Sequence, residues 1–116
     1  MSAAAPAKKR VAVLISGRGS NMSALIEAAR DPAYPAQIVG VFSNVPDAPG
    51  LASAASFDIP TAWRWHKDYP SRIGFELALG DVLKLWRPDF IALAGFMRLL
   101  TPEFTRKWQG RMINIH

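Results

Sequence analysis

Cysteine is absent from the 116 residues, which excludes a disulfide framework, thiolate zinc sites and a cysteine nucleophile. Histidine is scarce: His66 and His116 are the only two, too few for a metal site built from protein ligands alone. Acidic residues are outnumbered, 9 against 14 Lys and Arg, for a formal net charge of +5. Lys8, Lys9 and Arg10 supply three of those charges, and the remainder is too small to define a nucleic-acid surface. A mild basic balance also suits small phosphorylated or carboxylated substrates. No apolar run approaches the roughly 20 residues of a membrane span, and the opening "MSAAAPAKK" lacks the apolar stretch of a secretory signal. These absences point to a soluble cytoplasmic protein with no membrane association. Residues 1–9 are expected to be a disordered lead-in, and residues 10–116 to belong to one folded domain.

Half of the residues are hydrophobic, enough for a packed core. Short apolar runs alternate with segments of helical period. "RVAVLIS" (10–16) is a continuous β-rich run, as expected of a strand covered on both faces. Met22, Leu25, Ile26 and Ala29 then fall on one helix face, and "DPAYPA" ends that helix. "QIVGVFS" (37–43) predicts a second strand, and "DAPGLASAASF" a short helix with Leu51, Ala54 and Ala55 inward. "IPTAWRW" (59–65) predicts a third strand. Phe75, Leu79, Val82, Leu83 and Trp86 form a helical stripe within 71–86, stopped by "RPD". "FIALAG" (90–95) and "RMINIH" (111–116) predict the fourth and fifth strands, separated by a helix capped by Thr101 with Pro102 at its first position.

Alternation at this spacing implies right-handed βαβ units, a parallel sheet and an α/β class. The expected architecture is an open, doubly wound sheet of strand order 3-2-1-4-5. Ligands in such folds sit outside the carboxyl ends of the strands, where strand order reverses. That singles out the loops after strands one and four, "SGRGSN" and "AGFMR".

The first of these follows a strand and opens a helix. It lacks the third glycine of a dinucleotide fingerprint, since Met22 occupies that place, and lacks the Gly-Lys-Ser/Thr ending of a P-loop. Gly17 and Gly19 allow a tight turn and close approach of a ligand, while Ser20 and Asn21 can cap the helix or donate hydrogen bonds. Free N–H groups there favour an anion, and the loop suits a single phosphate monoester. From the loop alone, a plain strand-to-helix turn with a serine or asparagine cap is also open.

Taken with "VFSN" (41–44), "LAGFMR" (93–98), "LLTPEF" (99–104) and the terminal "NIH" (114–116), this loop closely resembles the phosphoribosylglycinamide formyltransferase family. The resemblance runs from Arg10 to the last residue. It implies a Rossmann-like fold and transfer of a formyl group from 10-formyltetrahydrofolate, a co-substrate, to the amine of a ribose-phosphate glycinamide in de novo purine (IMP) biosynthesis. By the same resemblance Gly19, Ser20 and Asn21 bind the substrate phosphate. Folate contacts fall on Arg72, Met97, Arg98, Leu99, Leu100 and Asn114; Asn114 also holds the formyl oxygen, and His116 is the catalytic acid/base. Small-molecule substrates are implied, with no metal and no nucleic acid.

The residue types suit that chemistry. Attack of an amine on a formyl carbon develops an oxyanion, which an asparagine amide or a histidinium can stabilise. A histidine can move a proton between the amine and the leaving nitrogen. Asn114 and His116, two apart on a strand, project from one face. Read without the resemblance, the same pair is a strand-end asparagine and a solvated histidine. Arg72 opens a helix, where the dipole does not favour a cation; an external anionic partner and a solvated surface arginine both fit. Trp63, Trp65, Trp86 and Trp108 are expected to pack in the core or along strands, and His66 has no partner identifiable in the sequence.

The family continues past the position of His116 with a proline-containing loop, further strands and a catalytic aspartate. The chain is therefore expected to be the N-terminal portion of a longer enzyme, truncated after strand five. Alone, it would be inactive or weakly active and would tend to self-associate through its terminal edge strand. Two other readings stay open: a methionyl-tRNA formyltransferase, which shares the fold and an Asn-x-His site, and a non-catalytic phosphate-binding or interaction module.

Overall fold

The computed structural model describes residues 8–115, in one parallel five-stranded sheet flanked by helices on both faces. The elements in order are β1 (Lys9–Ile15), α1 (Ser20–Ala29), β2 (Ala36–Ser43), α2 (Pro49–Ser56), β3 (Thr61–Trp63), α3 (Arg72–Trp86), β4 (Phe90–Leu93), α4 (Pro102–Lys107) and β5 (Met112–Asn114). A 3₁₀ turn covers His66–Asp68. Strand order is β3-β2-β1-β4-β5, as the alternating pattern predicts, so the order reverses between β1 and β4. No helix among the described residues is long and apolar enough to cross a membrane.

β1 runs apolar without interruption because both of its faces are covered. Val11, Val13 and Ile15 join Met22, Ile26 and Ala54 in the core beneath α1 and α2. Ala12 and Leu14 point the other way, to Phe75, Leu79, Leu83, Phe104 and Trp108 under α3 and α4. This two-residue alternation is what lets one strand hold together two helical layers.

Several boundaries differ from expectation. Of the expected lead-in, residues 1–7 lie outside the described residues, as does His116. Lys9 already pairs in the sheet, its N–H donating to Pro35 O at 2.9 Å. The Lys8 ammonium donates to Ala29 O and Asp31 O at the carboxyl end of α1, where a cation complements the dipole. β3 is only Thr61–Trp63, because Pro60 precedes it and the chain after Trp65 winds into the 3₁₀ turn. Ala55 is exposed; α2 buries Gly50 and Ala54, since its short length leaves room for one narrow inward stripe. β4 ends at Leu93 because Gly95 turns left-handed (φ 75°). β5 is Met112–Asn114, with Ile115 N–H still donating to Leu93 O at 2.8 Å.

Helix α3 is held at both ends. Ser71 Oγ accepts from Gly74 N–H, and Arg87 leaves the helix in a left-handed cap (φ 49°) before Pro88. The Arg10 guanidinium donates to the carbonyls of Trp86 and Arg87, satisfying two orphan acceptors of the last turn. At Gly40 the strand has no side chain because the Trp86 indole lies over it; a Cβ there would be 2.2 Å from the ring. Trp108 is buried, Trp86 and Trp65 are half-buried, and Trp63 departs from the expected packing at 47% exposure, on the edge strand β3.

Candidate active site

The carboxyl end of β1 leads through Ser16–Arg18 into α1. Gly19 holds the cap position in the left-handed region (φ 66°, ψ 44°), a conformation that costs an L-residue about 1–2 kcal/mol. Ser20 and Asn21, read from sequence as possible caps, instead lie in the first helical turn. The residue at the cap is a glycine with no side-chain oxygen to offer, so no side chain caps this helix, although the Gly19 carbonyl accepts from Ser23 N–H at 2.9 Å. The first-turn N–H groups have no intrahelical acceptor, and the turn itself contains no acidic residue. Beside them is a cavity of about 200 Å³ lined by Gly17–Asn21, Ala94 and Gly95. Unpaired N–H groups at the positive end of a helix are suited to an anion.

Helix α2 braces this loop from below. Gly50 N–H donates to Gly17 O at 3.0 Å. A Cβ on Gly50 would lie 2.4 Å from Ile15 Cδ1 and 3.0 Å from the carbonyl oxygens of Gly17 and Arg18.

Asn114 ends β5 opposite Leu93 of β4, on the same carboxyl edge, and is exposed. Asn21 Nδ2 donates to Ile115 O at 3.4 Å, tying the first turn of α1 to the residue after Asn114. The start of α1 and the Asn114 strand therefore meet, although 94 positions separate the two bonded residues. His116, the other residue expected to act here, lies outside the described residues.

The loop after β4 crosses the same edge. Met97 and Leu99 are exposed, at 79% and 70%, while Arg98 and Leu100 are half-buried and Leu100 packs on the core under α3 and α4. Two exposed apolar side chains in one short loop are suited to contact with a partly apolar ligand. Arg72 is exposed at the first position of α3. Glu76, four residues on and so on the same helix face, reaches this loop: its carboxylate accepts from Thr101 N–H (2.7 Å) and Thr101 Oγ1–H (2.5 Å).

A polar relay missed in the sequence runs beneath the site. Met97 N–H donates to Ser16 Oγ (2.8 Å), and the Ser16 hydroxyl donates to Asn44 Oδ1 (2.5 Å). The Asn44 amide nitrogen lies 3.0 Å from His66 Nδ1, and the same ring nitrogen is 3.2 Å from the Asn44 carbonyl oxygen. His66 thus has a partner in Asn44, and it also stacks at a tilt on Trp65 with centroids 4.9 Å apart. Asn44 is only 2% exposed, so its amide belongs to the interior framework of the site. The local signal was the stretch "VFSN" (41–44), whose asparagine follows a buried strand. Its partners lie 28 and 22 positions away. Among the described residues, no group of three or more His, Cys, Asp or Glu could hold a metal ion.

An open, doubly wound parallel sheet with an uncapped helix N-terminus after its first strand defines a class, and the family model described as Formyl transferase matches residues 9–116. The chain belongs to the formyl transferase family. It is 50% identical over 111 residues to the trifunctional purine biosynthetic protein adenosine-3 of Bos taurus, covering 96% of this chain and 11% of that protein. It is 42% identical over 108 residues to phosphoribosylglycinamide formyltransferase of Haemophilus influenzae, covering 93% of this chain and 51% of the relative. The crystal structure of phosphoribosylglycinamide formyltransferase from Brucella melitensis superposes with a TM-score of 0.91 at 46% identity, covering 95% of this chain and 57% of that one. The chain thus spans about half the length of these single-activity relatives and about a tenth of the trifunctional one.

Proposed function

We propose that the protein carrying this chain transfers a formyl group from 10-formyltetrahydrofolate to the amine of 5'-phosphoribosylglycinamide, in de novo purine biosynthesis in the cytoplasm. The observation that carries this reading is the junction of the α1 N-terminus with the strand bearing Asn114, through Asn21 and Ile115. This junction supports a reading in which an anion site lies beside an amide donor, as a substrate with a phosphate at one end and a reacting amine at the other requires. The names of the relatives support the choice of substrate.

In this reading the N–H groups of Gly19, Ser20 and Asn21 hold the ribose phosphate. Met97, Arg98, Leu99, Leu100 and Arg72 receive the folate, Leu99 and Met97 by apolar contact and Arg72 as a cation for its carboxylates. As the amine nitrogen bonds to the formyl carbon, negative charge grows on the formyl oxygen. The Asn114 amide donates to that oxygen, and His116 takes the amine proton and returns it to the folate nitrogen as the old C–N bond breaks. Atoms balance without a covalent enzyme intermediate.

The test is an initial-rate assay of the full-length protein with both substrates, following formylated ribotide and tetrahydrofolate together. Equal amounts of the two products are expected. Formate release without formylated ribotide, or ribotide binding without turnover, would overturn the reading in favour of hydrolysis or of a binding module. Methionyl-tRNA offered as the acceptor is expected to remain unformylated.

A further inference from the structure

The segment Phe96–Leu100 has no regular secondary structure and carries two of the most exposed apolar side chains of the described residues, Met97 and Leu99. Within the described residues, the backbone N–H groups of Arg98, Leu99 and Leu100 make no hydrogen bond. A loop like this would ordinarily move freely, because ordering each residue is costly and nothing local repays it. Yet both of its ends are fastened by side chains from distant elements. At the start, Met97 N–H donates to Ser16 Oγ, 81 positions away, and Ser16 is itself fixed by Asn44. At the end, the Glu76 carboxylate takes both the N–H and the hydroxyl of Thr101, 25 positions away.

Glu76 is conspicuous for its burial. At 9% exposure it is the one charged residue in the buried set of the described residues, and it faces no cation in the described salt bridges. Burying a carboxylate is unfavourable unless it is well hydrogen-bonded. Here the bonding goes to a single residue, and that residue is the hinge between the loop and α4. Thr101 Oγ1 also accepts from Phe104 N–H to cap α4. The same threonine therefore fixes the helix and, through Glu76, the loop.

We propose that Ser16 and Glu76 form a two-point clasp that presents the unpaired backbone of Arg98–Leu100 in one fixed geometry, and that both act as positioning residues for the heterocycle of the folate co-substrate. The inference rests on the proposed folate role of Met97–Leu100. Neither side chain need touch the ligand. Each removes from the binding step the entropy of ordering the loop, which is how preorganisation raises affinity. A flat heterocycle with its own donors and acceptors is the chemistry that a row of unpaired backbone groups between two apolar side chains would recognise.

The test uses the full-length protein and two readouts. Amide hydrogen exchange at Met97 and Thr101 reports on the clasp without reference to any ligand. Steady-state kinetics, with tetrahydrofolate binding as a cross-check, reports on its effect. Glu76→Gln replaces one acceptor oxygen by a donor, and Ser16→Ala removes an acceptor for Met97. Each is expected to speed exchange at its end of the loop and to raise the folate KM about tenfold, the loss expected of one charge-assisted or buried hydrogen bond. For Glu76→Gln the ribotide KM should stay within about twofold of the parent, a split that general destabilisation would not produce. Thr101→Ser, which keeps the hydroxyl, should behave as the parent, and Thr101→Val should reproduce the Glu76→Gln defect if that variant folds poorly. Parent-like exchange in both variants would overturn the clasp. Faster exchange with an unchanged folate KM would overturn its positioning role. A parent protein that binds no folate would instead sink the functional reading, and the two failures are distinct.

Discussion

Two helical glycines provide a matched experiment on how tightly the anion loop is packed. Gly50 sits near the start of α2 and Gly80 in the middle of α3, so Gly→Ala improves local helix propensity at both. Their surroundings differ. An added Cβ at Gly80 meets nothing within 4 Å, so Gly80→Ala should stabilise the protein by about 0.5–1 kcal/mol through reduced chain entropy. At Gly50 the new methyl would stand 2.4 Å from Ile15 Cδ1 and 3.0 Å from two carbonyl oxygens of the anion loop. The Ile15 methyl can rotate aside, but the carbonyls are backbone and can only retreat with the loop. Overpacking of this kind costs about 1–3 kcal/mol, so a net loss of about 1–2 kcal/mol should remain after the propensity gain. Urea unfolding of both variants, compared at unchanged slope, measures the difference directly. Because the displaced oxygens belong to Gly17 and Arg18, Gly50→Ala should also weaken ribotide binding several-fold, and Gly80→Ala should not. A Gly50→Ala protein as stable as the parent, with parent ribotide affinity, would refute the claim that α2 braces the loop.

Gly40→Ala should be severely destabilising, by about 3 kcal/mol or more given overlap with the rigid Trp86 ring rather than a flexible side chain, and thermal unfolding would show it. Ser71→Ala removes the cap of α3 and should cost about 1 kcal/mol in urea unfolding, with ligand affinities unchanged. The 116-residue chain by itself presents β5 as a sheet edge with Ile113 55% exposed. Sedimentation should find it self-associated, and Ile113→Lys should shift it toward monomer, since a charge on an edge strand opposes pairing.

The fold was legible because hydrophobic period carries it. The unbroken run at Val11–Ile15 announces a strand covered on both faces, and the stripe Phe75, Leu79, Val82, Leu83 announces the helix that covers one of them. Alternation of the two then leaves little freedom in topology. Local chemistry misled where tertiary position decides. The apolar "IPTAWRW" yields only three strand residues, because β3 is an edge whose outer side needs no burial. Serine and asparagine after Gly19 look like helix caps, yet the left-handed glycine takes the cap itself.

At the site, residues contiguous in sequence were readable and those joined across the fold were not. Gly19–Asn21 and Asn114 stand in recognisable stretches, and the sheet brings them to one edge. Ser16 and Asn44 stand in the stretches "SGRGSN" and "VFSN", but nothing local shows that they bond to each other, and His66 and Glu76 are single polar residues with no local pattern. Glu76 in particular looks like a solvated position on an amphipathic helix, and only the partner Thr101 explains its burial.

The central claim is that one edge of the sheet divides the work, with the α1 N-terminus binding phosphate and Asn114 acting on the formyl group. The most direct test is a kcat and KM comparison of Gly19→Val and Asn114→Ala in the full-length protein. Gly19→Val, forced into the left-handed region, should raise the ribotide KM by at least about tenfold, the equivalent of 1–2 kcal/mol of strain placed at the anion loop. Asn114→Ala should leave that KM nearly unchanged and lower kcat by about 10²–10³, the usual loss for one oxyanion donor. If Asn114→Ala keeps near-normal turnover, or if Gly19→Val binds ribotide as the parent does, the division of labour proposed for this edge is wrong.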